Sequence, residues 1–312
     1  MFERRRAFTS GVGPDNIMKI TIGALALTLA SSGGLQASIL YSFGPDALND
    51  PRSFTSMNTQ TSTATPLYNM NDINDGFNGG VTYKPTTGLL YGIINDSFGN
   101  SSLISFLLNG GGNFTTLQSV GVGFAGLTFD TADNNFYGIS LDSGGFSTLN
   151  KIIVGGATNA MFGLGLGFNG GLTFDTVDLN LYAISNDNQG NSTLNRIGLN
   201  GSVTALTGAL GTGFLGGVAY DRPTNSFYAI ANDSFGNSTL DQIIVSGSSV
   251  VSVATLFSIG QGFVNAGLTE VVPEPATLWL FACGVAGLLV FRRSPKRQRG
   301  GSRAGVESVI RR

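Results

Sequence analysis

The sequence predicts an all-β fold, a β-propeller of four-stranded blades, with five blades of which one is split between the chain ends, followed by a C-terminal transmembrane helix. Three observations carry this reading. Phe77, Phe124, Phe168, Phe214 and Phe263 open successive repeats at spacings of 47, 44, 46 and 49 residues, a period typical of propellers and solenoid arrays. Each repeat holds four short β-prone runs parted by Gly, Asn, Asp and Ser, the content of one propeller blade. The fragments flanking the four full repeats add up to one further blade.

Taken in chain order, the first element is a leader. Met18-Lys19 precedes an apolar run from Ile20 to Leu29, and small residues lead to Leu35-Gln36-Ala37 before Ser38. A basic start, an apolar stretch and a small-residue cleavage site make a secretory signal peptide over residues 1–37. The reading that fits best starts translation at Met18. A twin-arginine signal built on Arg4-Arg5-Arg6 is the alternative. The exported body then runs over residues 38–271.

Its repeats align closely. Phe-Asn-Gly-Gly-Val-Thr-Tyr at 77–83 returns as Phe-Ala-Gly-Leu-Thr-Phe-Asp from Phe124, Phe-Asn-Gly-Gly-Leu-Thr-Phe-Asp from Phe168 and Phe-Leu-Gly-Gly-Val-Ala-Tyr-Asp from Phe214. In the third unit the runs are Gly171–Asp175, Leu181–Ser185, Ser192–Leu199 and Val203–Thr207. Small residues in the first run suit strands crowding a central axis. After Phe263, Gly267-Leu268-Thr269 matches a first strand only. Before Phe77, Ile39–Ser42, Ser53–Thr59 and Ala64–Asn69 match second, third and fourth strands. Four blades plus this split one close the ring and leave no open edge. A β-solenoid is the alternative, though its rungs repeat at shorter spacing.

The last element is an address. Val272-Pro273-Glu274-Pro275 leads into sixteen uncharged residues, Ala276 to Phe291, and then Arg292-Arg293. As a helix this run reaches ~24 Å, somewhat short of a ~30 Å hydrocarbon core, a mismatch that snorkelling arginines and local thinning absorb. Beyond it stand eight Lys/Arg against the single acid Glu307, which holds that end in the cytoplasm and places the body across the membrane. Pro273, Glu274, Pro275, the apolar run, Arg292 and Arg293 together resemble the PEP-CTERM sorting signal of exopolysaccharide-producing Gram-negative bacteria. The resemblance covers residues 272–299, with 300–312 a basic cytoplasmic tail. It implies export by the Sec machinery, a membrane-anchored precursor held through residues 276–291, processing by exosortase, and delivery to the cell surface or extracellular matrix.

Composition removes several function classes. The net charge of −2 hides an acidic body: residues 38–270 carry Arg52, Lys84, Lys151, Arg196 and Arg222 against fifteen acids. Nucleic acid is therefore a poor partner. There is no His in the chain, and the one Cys, Cys283, lies in the apolar run. Catalysis by Ser-His-Asp or Cys-His, histidine metal sites and disulfides are all excluded.

Two sets of acids recur. Asp96, Asp142, Asp187 and Asp233 stand between second and third strands, with Asn100, Asn191 and Asn237 four residues on and Phe98, Phe146 and Phe235 nearby. Oxygens on repeated loops suit Ca²⁺, and exposed aromatic rings suit sugars. The turn reading outweighs the metal one: Asp and Asn cap hairpin turns with their own side chains, and Gly99, Gly190 and Gly236 supply the required positive φ. No Ca²⁺ loop pattern is present, so no cofactor is expected, with Ca²⁺ as the one candidate. The second set, Asp130, Asp175 and Asp221, falls at turns on the opposite rim. Acids recurring in every blade argue against one asymmetric active site, and no residue visibly breaks the repeat. The Asn-x-Ser/Thr triplets at 100, 191 and 237 follow from the repeat itself. The sequence thus points to an exported, non-enzymatic surface or matrix protein associated with exopolysaccharide. The alternatives are a propeller binding a glycan, Ca²⁺ or a partner protein at the membrane, and a polysaccharide-active enzyme.

Overall fold

The computed structural model describes residues 38–44, 53–70, 76–77 and 80–271. The leader with Met18, and the address with Pro273, Glu274, Pro275, residues 276–291, Arg292 and Arg293, lie outside the described residues. Among the described residues no helix is long and apolar enough to cross a membrane.

The body is a ring of five antiparallel sheets. Blade 1 comprises β4 (Val81–Lys84), β5 (Leu89–Asn95), β6 (Asn100–Phe106) and β7 (Phe114–Val122). Blade 2 comprises β8 (Phe124–Asp130), β9 (Asn135–Leu141), β10 (Phe146–Ile152) and β11 (Thr158–Leu166). Blade 3 has β12 (Leu172–Asp175), β13 (Asn180–Asn186), β14 (Asn191–Ile197) and β15 (Val203–Ala205), with a short β16 (Gly211–Thr212) also on β14. Blade 4 has β17 (Val218–Asp221), β18 (Ser226–Asn232), β19 (Asn237–Ser246) and β20 (Ser249–Gln261). The fifth joins both chain ends: β21 (Leu268–Glu270) pairs with β1 (Ile39–Gly44), then come β2 (Ser53–Asn58) and β3 (Thr63–Asn69). Its register sets Leu40 opposite Glu270 and Ser42 opposite Leu268. Five blades with one split is the architecture expected from the repeat.

Around the axis the innermost strands neighbour one another in the closed order β4, β8, β12, β17, β21 and back to β4. They approach this closely because each carries a glycine at or near its start, Gly80, Gly126, Gly171, Gly217 and Gly267. A Cβ at Gly80 would lie 2.4 Å from the Leu127 nitrogen, one at Gly171 2.6 Å from Gly217 Cα, and one at Gly267 2.2 Å from the Val81 nitrogen. Side chains larger than hydrogen would push neighbouring backbones apart and open the ring.

Five apolar clusters fill the five seams between blades. The repeat-opening Phe77, Phe124, Phe168, Phe214 and Phe263 are all buried, one in each seam, and each contributes about 2 kcal/mol of transfer energy. Tyr91, Tyr137, Tyr182 and Tyr228 on the second strands reach the next blade from the other side of the seam. Second strands are therefore buried on both faces, whereas outermost strands such as β3 and β11 are mostly exposed. Register shifts recur where β7, β11, β20 and β3 pair with their neighbours, bulges that bend an edge strand away from further pairing.

Blade 3 departs from its expected outer strand, which was to run to Thr207. Strand β15 stops at Ala205, and Thr207 makes a parallel bridge to Ser249 of blade 4, its N–H donating to the Ser248 carbonyl at 2.9 Å. Gly208, at φ +99°, turns the chain away immediately afterwards.

Candidate functional site

The first and third strands run toward one rim of the ring and the second and fourth toward the other. The loops after the second strands form what is here the loop rim, and Asp96, Asp142, Asp187 and Asp233 begin them. Asp96 Oδ1 accepts from the Phe98 and Asn100 amides at 2.9 and 2.8 Å, and Asn100 Nδ2 donates to Asp96 Oδ2 at 2.7 Å. Asp187 makes the same three bonds with Gln189 and Asn191, and Asp233 with Phe235 and Asn237. Asp142 accepts from the Gly144 and Phe146 amides. The Asn side chains hold Asp96, Asp187 and Asp233 below the usual carboxylate range. These oxygens are committed to the turn. Gly99, Gly190 and Gly236 stand at φ near +80° inside it. Among the described residues no three His, Cys, Asp or Glu side chains gather to hold a metal.

Next to the turn the repeat supplies a latch between blades. Ser101 Oγ donates to Asn95 Oδ1 and accepts from the Phe124 amide of the next blade at 3.1 Å. Ser192 bridges Asn186 and the Phe214 amide in the same way, and Ser238 bridges Asn232 and the Phe263 amide. Ser147 accepts from the Phe168 amide alone, because Leu141 replaces the asparagine. The Asn-Ser-Ser and Asn-Ser-Thr triplets thus each have two structural tasks: Asn caps the turn and Ser ties the seam.

Among the described residues the loop rim exposes apolar side chains, while most of its asparagines are tied into turns and latches. Phe98 and Phe235 are 87% and 83% exposed at loop tips, and Phe146 is exposed as well. Val122 and Leu166 are exposed on the outermost strands beside the Phe98 and Phe146 loops. Near the axis the same rim holds an open depression of about 500 Å³ lined by Asn95, Asp96, Gly123, Ala125, Asn169 and Asn265, among others. Its walls carry amides and small residues and no basic side chain.

The opposite rim, where the first strands end, carries Asp130, Asp175 and Asp221. Asp130 and Asp175 accept from the Ala132 and Val177 amides at 2.7 Å, the bond of an Asx turn. Burial raises both carboxyls. Asp221 differs. It is fully buried, its Oδ2 accepts from Ser38 Oγ at 2.5 Å and Thr224 Oγ1 at 2.6 Å, and its Oδ1 has no donor. Facing it is Glu270, whose carboxyl is pushed up to about 8 by burial and then by Asp221. This corrects the expectation that nothing breaks the repeat. Glu270 occupies the slot filled by Tyr83, Phe129, Phe174 and Tyr220 in the other first strands, and an acid in an aromatic slot is the sequence signal that marks it.

Residues 271–294 match the family described as the PEP-CTERM protein-sorting motif. The chain carries a PEP-CTERM sorting signal. PEP-CTERM signals are processed by exosortase, and with the propeller this one supports an exported surface protein whose precursor is anchored in the membrane. No curated protein matches the chain. Among solved structures it is similar to a chain of a nidogen–laminin complex, at 12% identity and TM-score 0.47 over 76% of this chain and 98% of that one. It is also similar to TolB from Acinetobacter baumannii, at 12% identity and TM-score 0.45 over 70% and 51%. A GH43 glycoside hydrolase engineered for endo-xylanase and exo-arabinofuranosidase activity aligns at 12% identity and TM-score 0.48 over 70% and 50%. Likenesses this distant carry nothing about activity.

Proposed function

We propose that this PEP-CTERM protein is a non-enzymatic component of the cell surface or matrix that meets neutral exopolysaccharide with its loop rim. The observation carrying the proposal is the division of labour between the rims. Both ends of the body, Ser38 and Val271, lie at the rim where first strands end. The loop rim offers exposed Phe98, Phe146 and Phe235 and an amide-lined depression, while its carboxylates are spent on turns. Exposed rings that stack suit an uncharged polyhydroxyl chain.

Among the described residues, Asp221 and Glu270 are the acid pair that departs from the repeat and the first an enzyme reading would draw on. They lie within hydrogen-bonding reach of each other, whereas retaining glycosidases hold their carboxyls ~5 Å apart and inverting ones farther. The test is sedimentation of the protein with exopolysaccharide from its own host. Phe98→Ala/Phe235→Ala should lose most of the binding while unfolding within about 0.5 kcal/mol of the parent, since both rings are exposed. Unchanged binding, or release of shortened saccharides, would contradict the proposal.

A further inference from the structure

We propose that Asp221 and Glu270 form the receiving site for the α-ammonium of the mature chain, set free at Ser38 when the leader is removed. The inference rests on the reading of residues 1–37 as a leader ending at Ala37. Ser38 is not a loose end: it is 4% exposed, its Oγ donates to Asp221, and its carbonyl accepts from the Thr59 amide at 3.2 Å. Its own nitrogen donates to Thr59 Oγ1 at 3.2 Å. Within one serine, N and Oγ are ~3 to 4 Å apart. The Ser38 nitrogen therefore stands within about 6 Å of Asp221 Oδ2, the range in which an opposite charge stabilises a carboxylate.

Among the described residues no cation is seen to face the site. Asp221 Oδ1 is buried without a donor there, and the charged neighbour acting on Glu270 is Asp221, which raises it further. The other titratable group facing the pair is the Tyr228 phenol of β18. Lys84 sits over the Phe129 ring and Lys151 pairs with Asp133. Arg222, next in the chain to Asp221, acts on Tyr220. While residue 37 is attached, Ser38 brings an amide with one hydrogen and no charge. Once free, it brings three donors and a positive charge to the seam that closes the ring. Hydrolysis of the 37–38 peptide bond supplies the amine, and the released leader keeps the new carboxylate.

The test compares the protein beginning at Ser38 and ending at Arg312, in detergent, with the same preparation acetylated at its α-amine. The free form should melt about 5 °C higher, and the gap should vanish in Asp221→Asn/Glu270→Gln. Equal melting, or a gap that persists in the double variant, would overturn the site. Should that variant not fold, the acetylation rate of unaltered protein against pH decides: a paired amine titrates above the ordinary ~8, and an ordinary midpoint overturns the pairing. N-terminal sequencing of protein from its own envelope separates the two readings. A first residue other than Ser38 overturns the link to maturation, whereas the melting comparison judges the carboxyl site itself.

Discussion

Two seams of this ring solve one problem with different chemistry. Between blades 3 and 4, Asp175 at the end of one first strand is met by the Tyr220 phenol from the next. Between blade 4 and the closing blade, Asp221 is met by Glu270 in the same slot. The Tyr220 hydroxyl donates to Asn225 Oδ1 at 2.9 Å and Asp175 Oδ1 accepts from the Val177 amide at 2.7 Å, so the first pair holds one carboxyl with donors of its own. A carboxyl donates only if protonated, so the second needs a proton or a cation. The unusual seam is also the one where the turn joining first and second strands is replaced by the two ends of the body. Repeat symmetry fails where the chain is cut and where processing would add a charge.

The comparison breaks most severely at the axis. Gly267→Val should cost 3 kcal/mol or more in denaturant unfolding, because its Cβ meets the backbone of Gly80 and Val81. Gly171→Val in the ordinary seam should cost as much. A spared Gly267 variant would mean that β21 does not complete the ring.

Next in size is the effect of Glu270 on a chain with a blocked N-terminus. Its carboxyl rises from 4.5 to about 8 on folding. The folded state therefore holds a proton that the unfolded state has released, and stability is full below pH ~4.5 and lost as pH rises through ~8. The loss should be on the order of a few kcal/mol, and Glu270→Gln should flatten it. The Asp175–Tyr220 seam should show a slope of the same sign from Asp175 alone, whose carboxyl burial also raises, without the added loss from a second acid.

The latches should sharpen the contrast by being alike in both seams. Ser192→Ala and Ser238→Ala each remove the oxygen that accepts a buried Phe amide, and each should cost about 1–2 kcal/mol in chemical denaturation. The smallest expected change is a gain. Asn150 and Asn195 donate to Ser140 and Ser185 and to the Thr148 and Thr193 carbonyls, whereas blade 4 has Asp241 in that slot, buried with an unpartnered Oδ1. Burial raises its carboxyl. Asp241→Asn should raise stability by about 1 kcal/mol at pH 7, read from the thermal midpoint.

Much of the ring was legible because the chain copies itself. Five phenylalanines at near-constant spacing, and the match of Gly267-Leu268-Thr269 to a first strand, are enough to assemble five blades and to place the split one. The turn chemistry of Asp96, Asp187 and Asp233 followed from Asp, Gly and Asn at fixed offsets, since local hydrogen bonds depend on local sequence. The Ser latch was not legible. Its partners are 21 to 25 residues away in the next blade, and serine beside a turn has many uses. The Asp221–Glu270–Ser38 cluster was hidden for a related reason, because its members come from residue 38, blade 4 and the last strand. The early end of β15 at Ala205 reflects competition from Ser249 on the neighbouring blade, which no reading of one repeat contains.

The most direct test of an exported and processed propeller is the intact mass of the protein isolated from its native cell envelope. The expected mass is that of a chain beginning at Ser38 and ending between Pro273 and Pro275. A mass that retains residues 276–312, or residues 18–37, would contradict it.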